Sequence, residues 1–275
     1  MLFNSFCHLE KIDLKKERYF WNQGIFSWND VITEKISTGN KQDFYNLQQG
    51  IRDSIDNYEM KNVDFFFERF PRNQHWRMIK EFYDEIGFLD IETTGLDVTD
   101  TITVVSLFYR QKLFIFIQGK NLYKAYEVLK LPKILVTFRG NKFDIPFLER
   151  FFSKKFYHWK IDLYYLYKHL GLGGGLKRCE KAVGIDRGVL NNVNGEVAVK
   201  LWNEYRTKKN IKALKTLLSY NVSDTVNLDK MAKIAYNMML EKNKYLFQTI
   251  PISETDYKNP FTPSIDIIKT LKKSY

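Results

Sequence analysis

Two carboxylates stand one residue apart at the end of the segment Gly87-Phe-Leu-Asp-Ile-Glu-Thr-Thr-Gly-Leu96. In a strand, residues two apart point to the same face, so Asp90 and Glu92 are directed at one spot where the strand ends. Two such charges are costly to hold together unless a cation neutralises them. Carboxylate oxygens suit Mg²⁺ or Mn²⁺. The pair is therefore a candidate metal site, although Asp-x-Glu alone is also typical of a solvated strand end.

A third acid lies between a predicted strand and a predicted helix. Asp144 follows the apolar segment Lys133–Phe138 and precedes a helix with Pro146 near its first turn. An isolated Asp at such a position often caps the helix. Because sequential parallel strands usually neighbour each other, the same position also brings Asp144 beside the strand that carries Asp90.

A fourth acid lies on a late helix, which the apolar period of 3.6 residues predicts over Ile211–Leu240. Tyr220 and Asp224 are four residues apart there and share one face. A solvent-facing Asp beside a half-buried Tyr is the ordinary alternative. Taken together, four acids that can converge on two metal ions, with a phenol in reach of a bound water, suit phosphodiester hydrolysis.

The elements that must position these residues form a mixed α/β pattern. The link Arg110-Gln111 between two β-rich segments predicts a hairpin, and the remaining strands alternate with helices. The predicted strands are Gly87–Ile91, Thr101–Tyr109, Lys112–Gln118, Lys133–Phe138 and Tyr157–Ile161. This order resembles the outline of a ribonuclease H-like α/β domain, with a mixed five-stranded sheet flanked by helices.

The chain divides into three expected parts: a helical N-terminal region at 1–84, the α/β domain at 85–242 and an irregular C-terminal tail at 243–275. The tail is expected to be irregular because Pro251, Pro260 and Pro263 interrupt it. In the first part, helices are predicted over Leu14–Phe26, Ser27–Ile36 and Asp43–Ile55.

Charge and composition indicate a polyanionic partner. Of the net charge of +11, the excess lies in residues 86–240, which hold 25 Lys and Arg against 14 Asp and Glu. An acidic pocket within a basic surface fits a metal centre in a nucleic-acid track, although a merely soluble Lys-rich surface has the same charge. No apolar run is long enough for a membrane, and Cys7 and Cys179 lack metal-type spacing. A cytoplasmic protein without membrane attachment is therefore expected, and its protein partners are unknown.

Three short motifs carry a resemblance to a known group of enzymes. Asp90-Ile-Glu92-Thr-Thr-Gly95, Phe143-Asp144 and Tyr220-x-x-x-Asp224 resemble the exonuclease motifs of the DEDD (DnaQ-like) superfamily, in its Tyr-bearing branch. From about Arg69 to Asp229 the chain is similar to the YprB-like ribonuclease H-like exonuclease family. The matching segments are Phe70-Pro-x-x-x-His75-Trp, Leu135-Val-Thr-Phe-x-Gly140-x-x-Phe-Asp-x-Pro-Phe-Leu148, Ile161-Asp-Leu163, Gly174-Gly-Leu-Lys177 with Glu180, Gly184-Ile-x-Arg187 and Tyr220-Asn-x-x-Asp224.

The resemblance implies a metal-dependent 3′-to-5′ exonuclease that acts on single-stranded DNA and releases nucleoside monophosphates. It implies that Asp90 bridges two divalent ions, Mg or Mn, that Glu92 and Asp224 complete the water-activating site, and that Asp144 helps to hold the second ion. Tyr220 would orient the attacking water. The nucleic-acid contacts implied are Thr93, Thr94, Gly95, Leu96, Arg139, Asn141 and Lys177, of which Arg139 departs from the small polar residue expected of the family.

Two other functions remain open from the residues themselves. The same acids could act on RNA, at an end or internally, because sugar contacts are not readable from the sequence. A non-catalytic nucleic-acid-binding module on a nuclease fold is the third alternative, which a missing acid would favour. Among the remaining candidates, Asp162 is expected to cap a helix, and His75 and His158 are expected to be structural.

Overall fold

The computed structural model describes residues 1–33, 41–97, 99–245, 247–252 and 257–273. The chain forms two compact units. The first comprises Met1–Tyr83 with Asn243–Thr249, and the second comprises Asp84–Lys242 with Ile250–Tyr275. The segment expected as one C-terminal tail is thus divided between the two units.

The first unit is helical, with α1 at Leu14–Asn22, α2 at Trp28–Ile32, α3 at Lys41–Glu59 and α4 at Val63–Arg69. The helix expected over Leu14–Phe26 ends earlier, because Gly24 adopts a φ of 81° that a continuing helix excludes. Residues 34–36 of the second predicted helix lie outside the described residues. The described part begins at a capping box, in which Ser27 and Asp30 satisfy each other's backbone amides.

Buried polar groups accompany the aromatic core of the first unit. The Arg77 guanidinium donates to the Glu17 carboxylate at 2.8 Å, and both side chains are fully buried. The imidazole of His8 is hydrogen-bonded through Nε2 to Ser54 Oγ at 2.9 Å and stacks on Phe70 with ring centroids 4.8 Å apart. Both arrangements need fixed partners, since an unpaired buried polar group is costly.

The second unit contains a five-stranded sheet in the order β3-β2-β1-β4-β5. Strands β1 to β3 pair antiparallel, whereas β1 with β4 and β4 with β5 pair parallel. The strands are β1 Ile86–Thr93, β2 Ile102–Tyr109, β3 Lys112–Ile117, β4 Ile134–Thr137 and β5 Trp159–Asp162. The predicted α/β fold, a mixed five-stranded sheet flanked by helices, is confirmed.

Helices cover both faces of this sheet. They are α5 Ala125–Leu129, α6 Asp144–Phe152, α7 Leu163–His169, α8 Leu176–Ala182, α9 Gly195–Lys208, α10 Ile211–Lys242 and α11 Ile265–Lys273. Within the part of the chain that the structure describes, no helix is both long and apolar enough to cross a bilayer.

Helix α11 corrects the expectation of an irregular tail. The three prolines that suggested irregular structure all precede Ile265, so they do not interrupt the helix. Ile268 is buried in an apolar cluster with residues of α9 and α10. Burial of this apolar face stabilises a helix too short to be stable alone.

The alternation of β1 sends its acids and its apolar residues to opposite faces. Leu89 and Ile91 join the apolar cluster that contains residues of α5 and α6. Asp90 and Glu92 therefore point to the other face, where α9 and α10 pack with Val104 of β2. The acids thus lie at the end of β1 beside the middle of α10.

Three polar side chains form a polar seam between the sheet and α10. They are Ser106 of β2 and Asn221 and Thr225 of α10. The hydroxyls of Ser106 and Thr225 are hydrogen-bonded to each other. The amide of Asn221 donates to Asp90 Oδ2 at 2.6 Å, and Ser106 pairs with Asp90 in the β1–β2 register. The seam therefore ties the first acid directly to the helix that carries Tyr220 and Asp224.

Candidate active site

Three carboxylates from two elements meet at the end of β1. One oxygen each from Asp90, Glu92 and Asp224 lies within 4.8 Å of the other two. Glu92 and Asp224 are buried and Asp90 is half-buried. Two like charges at such a separation repel by roughly 3–4 kcal/mol at an effective dielectric constant of about 20. The cluster therefore stores unfavourable energy that a bound cation would relieve.

Burial and mutual repulsion raise the pKa values of these acids. The pKa values of Asp90 and Glu92 stand well above their usual range, first because of burial and then because of the neighbouring charges of Asp224 and Asp144. Burial also raises the pKa of Asp144 to about 7, against the opposing effect of backbone hydrogen bonds. Without a cation, protons reduce the repulsion; a metal ion would compete with them for the same oxygens.

Asp144 lies beside β1, as the parallel pairing of β1 with β4 requires. It is the first residue of α6, one position after the N-cap residue Phe143. Its Oδ1 accepts a hydrogen bond from the backbone N–H of Ile91 at 3.2 Å. Its carboxylate is therefore held against β1 next to Asp90 and Glu92.

Tyr220 and Asp224 lie on one face of α10 and turn toward the acids of β1. Tyr220 is 7% exposed, and burial, followed by the charge of Asp224, raises the pKa of its phenol. The phenol consequently keeps its proton at neutral pH. A protonated phenol can orient a water molecule or a substrate oxygen by hydrogen bonding.

Arg187 is a buried cation at this site that spacing alone did not single out. Its guanidinium donates to Asp224 Oδ1 and, at 2.5 Å, to Glu180 Oε1. Asn227 also donates to Glu180 Oε1, at 2.9 Å. Burial lowers the pKa of Arg187, but the charges of Asp224 and Glu180 outweigh burial and raise it overall. The only sequence signal was its place in the segment Gly184-Ile-x-Arg187 together with Glu180.

Lys177 lies near the phenol of Tyr220. Its Nζ is 4.8 Å from the centroid of the Tyr220 ring and has no hydrogen-bond partner among the described residues. Burial lowers its pKa, and the charge of Asp224 partly opposes that shift. Lys177 therefore adds positive potential behind Tyr220.

A cleft of about 980 Å³ opens from the acids. Its walls include ten of the residues that the sequence singled out: Asp90, Glu92, Thr93, Thr94, Gly95, Leu96, Arg139, Asp144, Tyr220 and Asp224. Phe138, Lys142, Phe143, Tyr164, Tyr165, Leu176, Gly195, Glu196, Val199 and Lys200 complete the walls together with Ile91. Asn141 and Lys177 are absent from the lining. Phe138, Tyr164 and Tyr165 among these walls were not anticipated as site residues.

The turn after β1 forms one lip of the cleft and is fastened by Asp100. Thr94 Oγ1 donates to Asp100 Oδ1 at 2.7 Å, and the backbone N–H of Asp97 donates to Asp100 Oδ2 at 2.8 Å. A Cβ atom on Gly95 would lie 2.8 Å from Asp100 Cγ, so glycine permits this close approach. Leu96 is 82% exposed beyond the turn, where its apolar side chain is available to a ligand.

Asp162 organises the opposite lip. Its carboxylate accepts from the backbone amides of Tyr164 at 3.1 Å, Arg139 at 2.7 Å and Asn141 at 3.4 Å. It caps α7, as expected, and it also fastens the loop after β4. The side chain of Asn141 is exposed. Its contact with this lip is the hydrogen bond that its backbone N–H donates to Asp162.

The loop after β4 is held in an unusual conformation. Arg139 has a φ of 64°, in the left-handed region, and its guanidinium carbon lies 4.2 Å above the Tyr164 ring. A Cβ atom on Gly140 would lie 2.5 Å from Thr137 Cβ, so this position accepts only glycine without displacement.

The two histidines expected to be structural have structural contacts. His75 Nε2 is hydrogen-bonded to the carbonyl groups of Phe67 and Phe70 at 3.0 and 3.2 Å. His158 stacks on Phe156 with ring centroids 5.6 Å apart.

The donor set fits a hard divalent cation. Carboxylate oxygens with no competing sulfur or imidazole ligand are the donors that Mg²⁺, Mn²⁺ and Ca²⁺ prefer. The raised pKa values and the short separation of Asp90, Glu92 and Asp224 are the further signs of a missing positive charge.

No curated protein matches the sequence. A solved structure of the family B DNA polymerase from the hyperthermophilic archaeon Pyrobaculum calidifontis is similar over 64% of this chain and 31% of that chain, at 16% identity and a TM-score of 0.39. The chain thus spans about a third of the length of that polymerase.

A family model described as the RNase H superfamily matches residues 87–236. The match begins in β1, ends within α10 and includes the whole acidic cluster. Because it covers more than half of the chain, and because the mixed five-stranded sheet agrees with it, this protein belongs to the RNase H superfamily.

Proposed function

We propose that this protein is a metal-dependent 3′-to-5′ exonuclease of the DEDD (DnaQ-like) type, Tyr-bearing branch, similar to the YprB-like exonucleases. Its substrate in this proposal is single-stranded DNA, from which it releases nucleoside monophosphates. The observation that carries the proposal is the convergence of Asp90, Glu92 and Asp224 at the floor of an open cleft within an RNase H-like fold.

The four acids would hold two divalent ions, Mg²⁺ or Mn²⁺. Asp90 would help to hold them together with Glu92 and Asp224, whose oxygens lie within 4.8 Å of its own, and with Asp144, whose charge contributes to the raised pKa of Asp90. Bound ions would supply charge stabilisation to the attacking and leaving oxygens of an in-line displacement. Asn221 keeps Asp90 oriented by donating to Oδ2 at 2.6 Å.

The remaining residues position the reactants. The neutral phenol of Tyr220 lines the cleft and would orient the attacking water by hydrogen bonding. The turn Thr93–Leu96 would receive the terminal nucleotide, because it forms the lip nearest to Asp90 and Glu92. Basic residues along the cleft, Arg139, Lys142 and Lys200, would contact phosphates, whose negative charge dominates nucleic-acid affinity.

The direct test is the substitution Asp90→Asn, which keeps the shape of the side chain and removes its charge. We expect degradation of an end-labelled oligonucleotide in Mn²⁺ or Mg²⁺ to slow by roughly 10²–10³-fold, the loss typical when one electrostatic stabiliser is removed. Calorimetry should also show weaker Mn²⁺ binding. Glu127→Gln is the matched control, because Glu127 is an exposed carboxylate on α5. An Asp90→Asn variant as active as wild type would falsify the catalytic proposal.

Polarity and sugar preference are measured with the same assay. Oligonucleotides of DNA and RNA, blocked at either the 3′ or the 5′ end, separate an end-directed enzyme from an internal cutter. Loss of degradation with a 3′ block alone supports the proposed polarity. If RNA blocked at both ends is cut as fast as unblocked RNA, the protein is an endoribonuclease that uses the same site. Tight binding without cleavage would indicate a non-catalytic module.

A further inference from the structure

We propose that Phe138, Arg139, Tyr164 and Tyr165 form a stacking platform for an unpaired base close to the scissile end, so that the cleft selects single-stranded nucleic acid. The inference deepens the proposed function and rests on it. It assigns a base-binding subsite to the part of the cleft wall that is formed by side chains of the β4–α6 loop and the start of α7.

The four side chains form one contiguous cluster, in which Phe138 and Tyr165 both meet the Tyr164 ring at steep angles, with interplanar angles of 78° and 72°. The Arg139 guanidinium lies over the Tyr164 ring, with 4.2 Å between its carbon and the ring centroid. Phe138 meets the same ring edge-on at a centroid distance of 5.9 Å, and Tyr165 adjoins it at 5.2 Å. All four line the same cleft as the acids. A base bound in the cleft would therefore be within reach of both the aromatic and guanidinium groups and the carboxylates.

The exposure of these groups indicates a binding role. Tyr165 is 47% exposed, Arg139 is exposed, and Phe138 and Tyr164 are half-buried. Neither tyrosine belongs to the two apolar clusters that cover the faces of the sheet. Proteins that bind single-stranded nucleic acids stack bases on large aromatic side chains that are exposed beside a charged groove.

Asp162 and a left-handed residue hold the platform in place. Arg139 adopts a φ of 64°, a conformation that a residue with a Cβ atom enters at a cost. Asp162 offsets that cost by accepting from the amides of Arg139 and Asn141, and it also accepts from Tyr164. One carboxylate thus fixes both partners of the Arg139–Tyr164 pair, which makes Asp162 a positioning residue.

The chemistry of the platform defines its ligand. Guanidinium and aromatic planes stack on the faces of bases, and every base has such a face. In a duplex these faces are covered by neighbouring base pairs, so only a splayed, unpaired base can enter. Stacking does not contact the 2′-hydroxyl, and the platform therefore selects for strandedness and not for sugar. The cleft volume of about 980 Å³ is at the upper end of the ~300–1,000 Å³ typical of small-molecule sites.

The test measures binding separately from cleavage. The full-length Asp90→Asn protein binds oligonucleotides that carry one abasic site, placed at each of the last four positions in turn. We expect Tyr164→Ala to weaken binding of the intact single strand by roughly 5- to 150-fold, the range for one lost base stack. For the oligonucleotide whose abasic site faces the platform, the same substitution should cause little further loss.

Control variants separate stacking from folding. Tyr164→Phe keeps the ring and should bind as wild type. Tyr123→Ala, which removes a 71% exposed tyrosine outside the cleft, should also leave affinity unchanged. Asp162→Ala should reduce the discrimination between intact and abasic strands, as Tyr164→Ala does, since it releases the platform. Thermal melting of each variant reports whether it is folded.

The outcomes distinguish the platform from the nuclease activity. If a folded Tyr164→Ala protein binds like the Tyr123→Ala protein, or loses the same affinity for every abasic strand, the platform is overturned while the role of Asp90 in cleavage still stands. If Asp90→Asn proves as active as wild type, the nuclease proposal is wrong, whereas the abasic comparison still reports on base stacking.

Discussion

The Arg187 guanidinium is a built-in counter-ion for Asp224. It lies 37 residues away in sequence, just after α8, and also pairs with the buried carboxylate of Glu180. A fork of N–H donors can serve two carboxylates at once, which a lysine ammonium cannot match in geometry. Arg187 therefore fixes the orientation of the Asp224 side chain next to Asp90 and Glu92.

Removing this cation should be strongly destabilising. We predict that Arg187→Met lowers the free energy of unfolding by about 3–5 kcal/mol, because Glu180 and Asp224 would remain buried without their partner. Arg187→Lys should cost less than Arg187→Met, since the charge remains. The measurement is urea unfolding followed by circular dichroism.

The matched control is Arg110→Met. Arg110 pairs with Glu85 at 3.1 Å, but its side chain is 54% exposed, so the loss should stay under about 1 kcal/mol. Equal stability losses for the Arg187 and Arg110 variants would contradict a special role for the buried cation.

The sequence predicted the acids far better than it predicted Arg187. Strand alternation places Asp90 and Glu92 on one face, and helical spacing places Tyr220 near Asp224; both are rules of local geometry. Arg187 stands in an irregular segment, where no periodicity assigns a direction to the side chain. Its role depends on partners brought together only by the tertiary fold.

At the scale of elements, the loop between β4 and α6 depends on one glycine. A Cβ atom at position 140 would lie 2.5 Å from Thr137 Cβ on a buried strand. We predict that Gly140→Ala displaces the loop, costs about 1–3 kcal/mol of unfolding free energy as overpacking does, and weakens single-strand binding by moving Arg139.

The control for this change is Gly173→Ala. Gly173 has no atom within 4 Å of an added Cβ and no left-handed φ, so alanine should be tolerated there. Melting temperature and oligonucleotide affinity are measured for both variants. If the two alanine variants behave alike, the close approach at Gly140 has no energetic consequence.

Element boundaries were predictable where a pattern was long and clear. The long apolar period predicted Ile211–Leu240, and α10 spans Ile211–Lys242. Helix α11 was not predicted, because the three prolines indicated irregular structure for the whole C-terminal segment. The helix begins at Ile265, after the last of these prolines. The extent of α1 was overestimated, because the apolar pattern continued past the residue at which Gly24 changes the backbone direction.

For the whole molecule, acid stability should depend on a histidine in the first unit. Burial, and then the charges of Arg77 and Arg69, lower the pKa of His8 to about 3 from 6.5. Between these values the unfolded chain binds a proton that the folded chain excludes. The free energy of unfolding should therefore fall as pH drops from 6.5 toward 3, by up to about 1.4 kcal/mol per pH unit.

His8→Phe should flatten that part of the pH profile, because phenylalanine preserves the stack on Phe70 and carries no proton. His169→Phe is the control, as His169 is exposed. The pH series of urea midpoints is followed by tryptophan fluorescence, and three of the five tryptophans, Trp21, Trp28 and Trp76, lie in the first unit. A profile for His8→Phe as steep as that of wild type would contradict the assignment.

The polar seam of Ser106, Asn221 and Thr225 restricts which substitutions the interface between α10 and the sheet can tolerate. An apolar interface tolerates a helix that slides or rotates, since one methyl contact replaces another. Hydrogen bonds between the seam residues and to Asp90 are satisfied at a single axial setting, and a slip of one turn would carry Asp224 about 5.4 Å away. Apolar positions of α10 can therefore be exchanged among similar side chains, whereas these three polar positions are constrained because they fix α10, which carries Asp224, relative to β1, which carries Asp90.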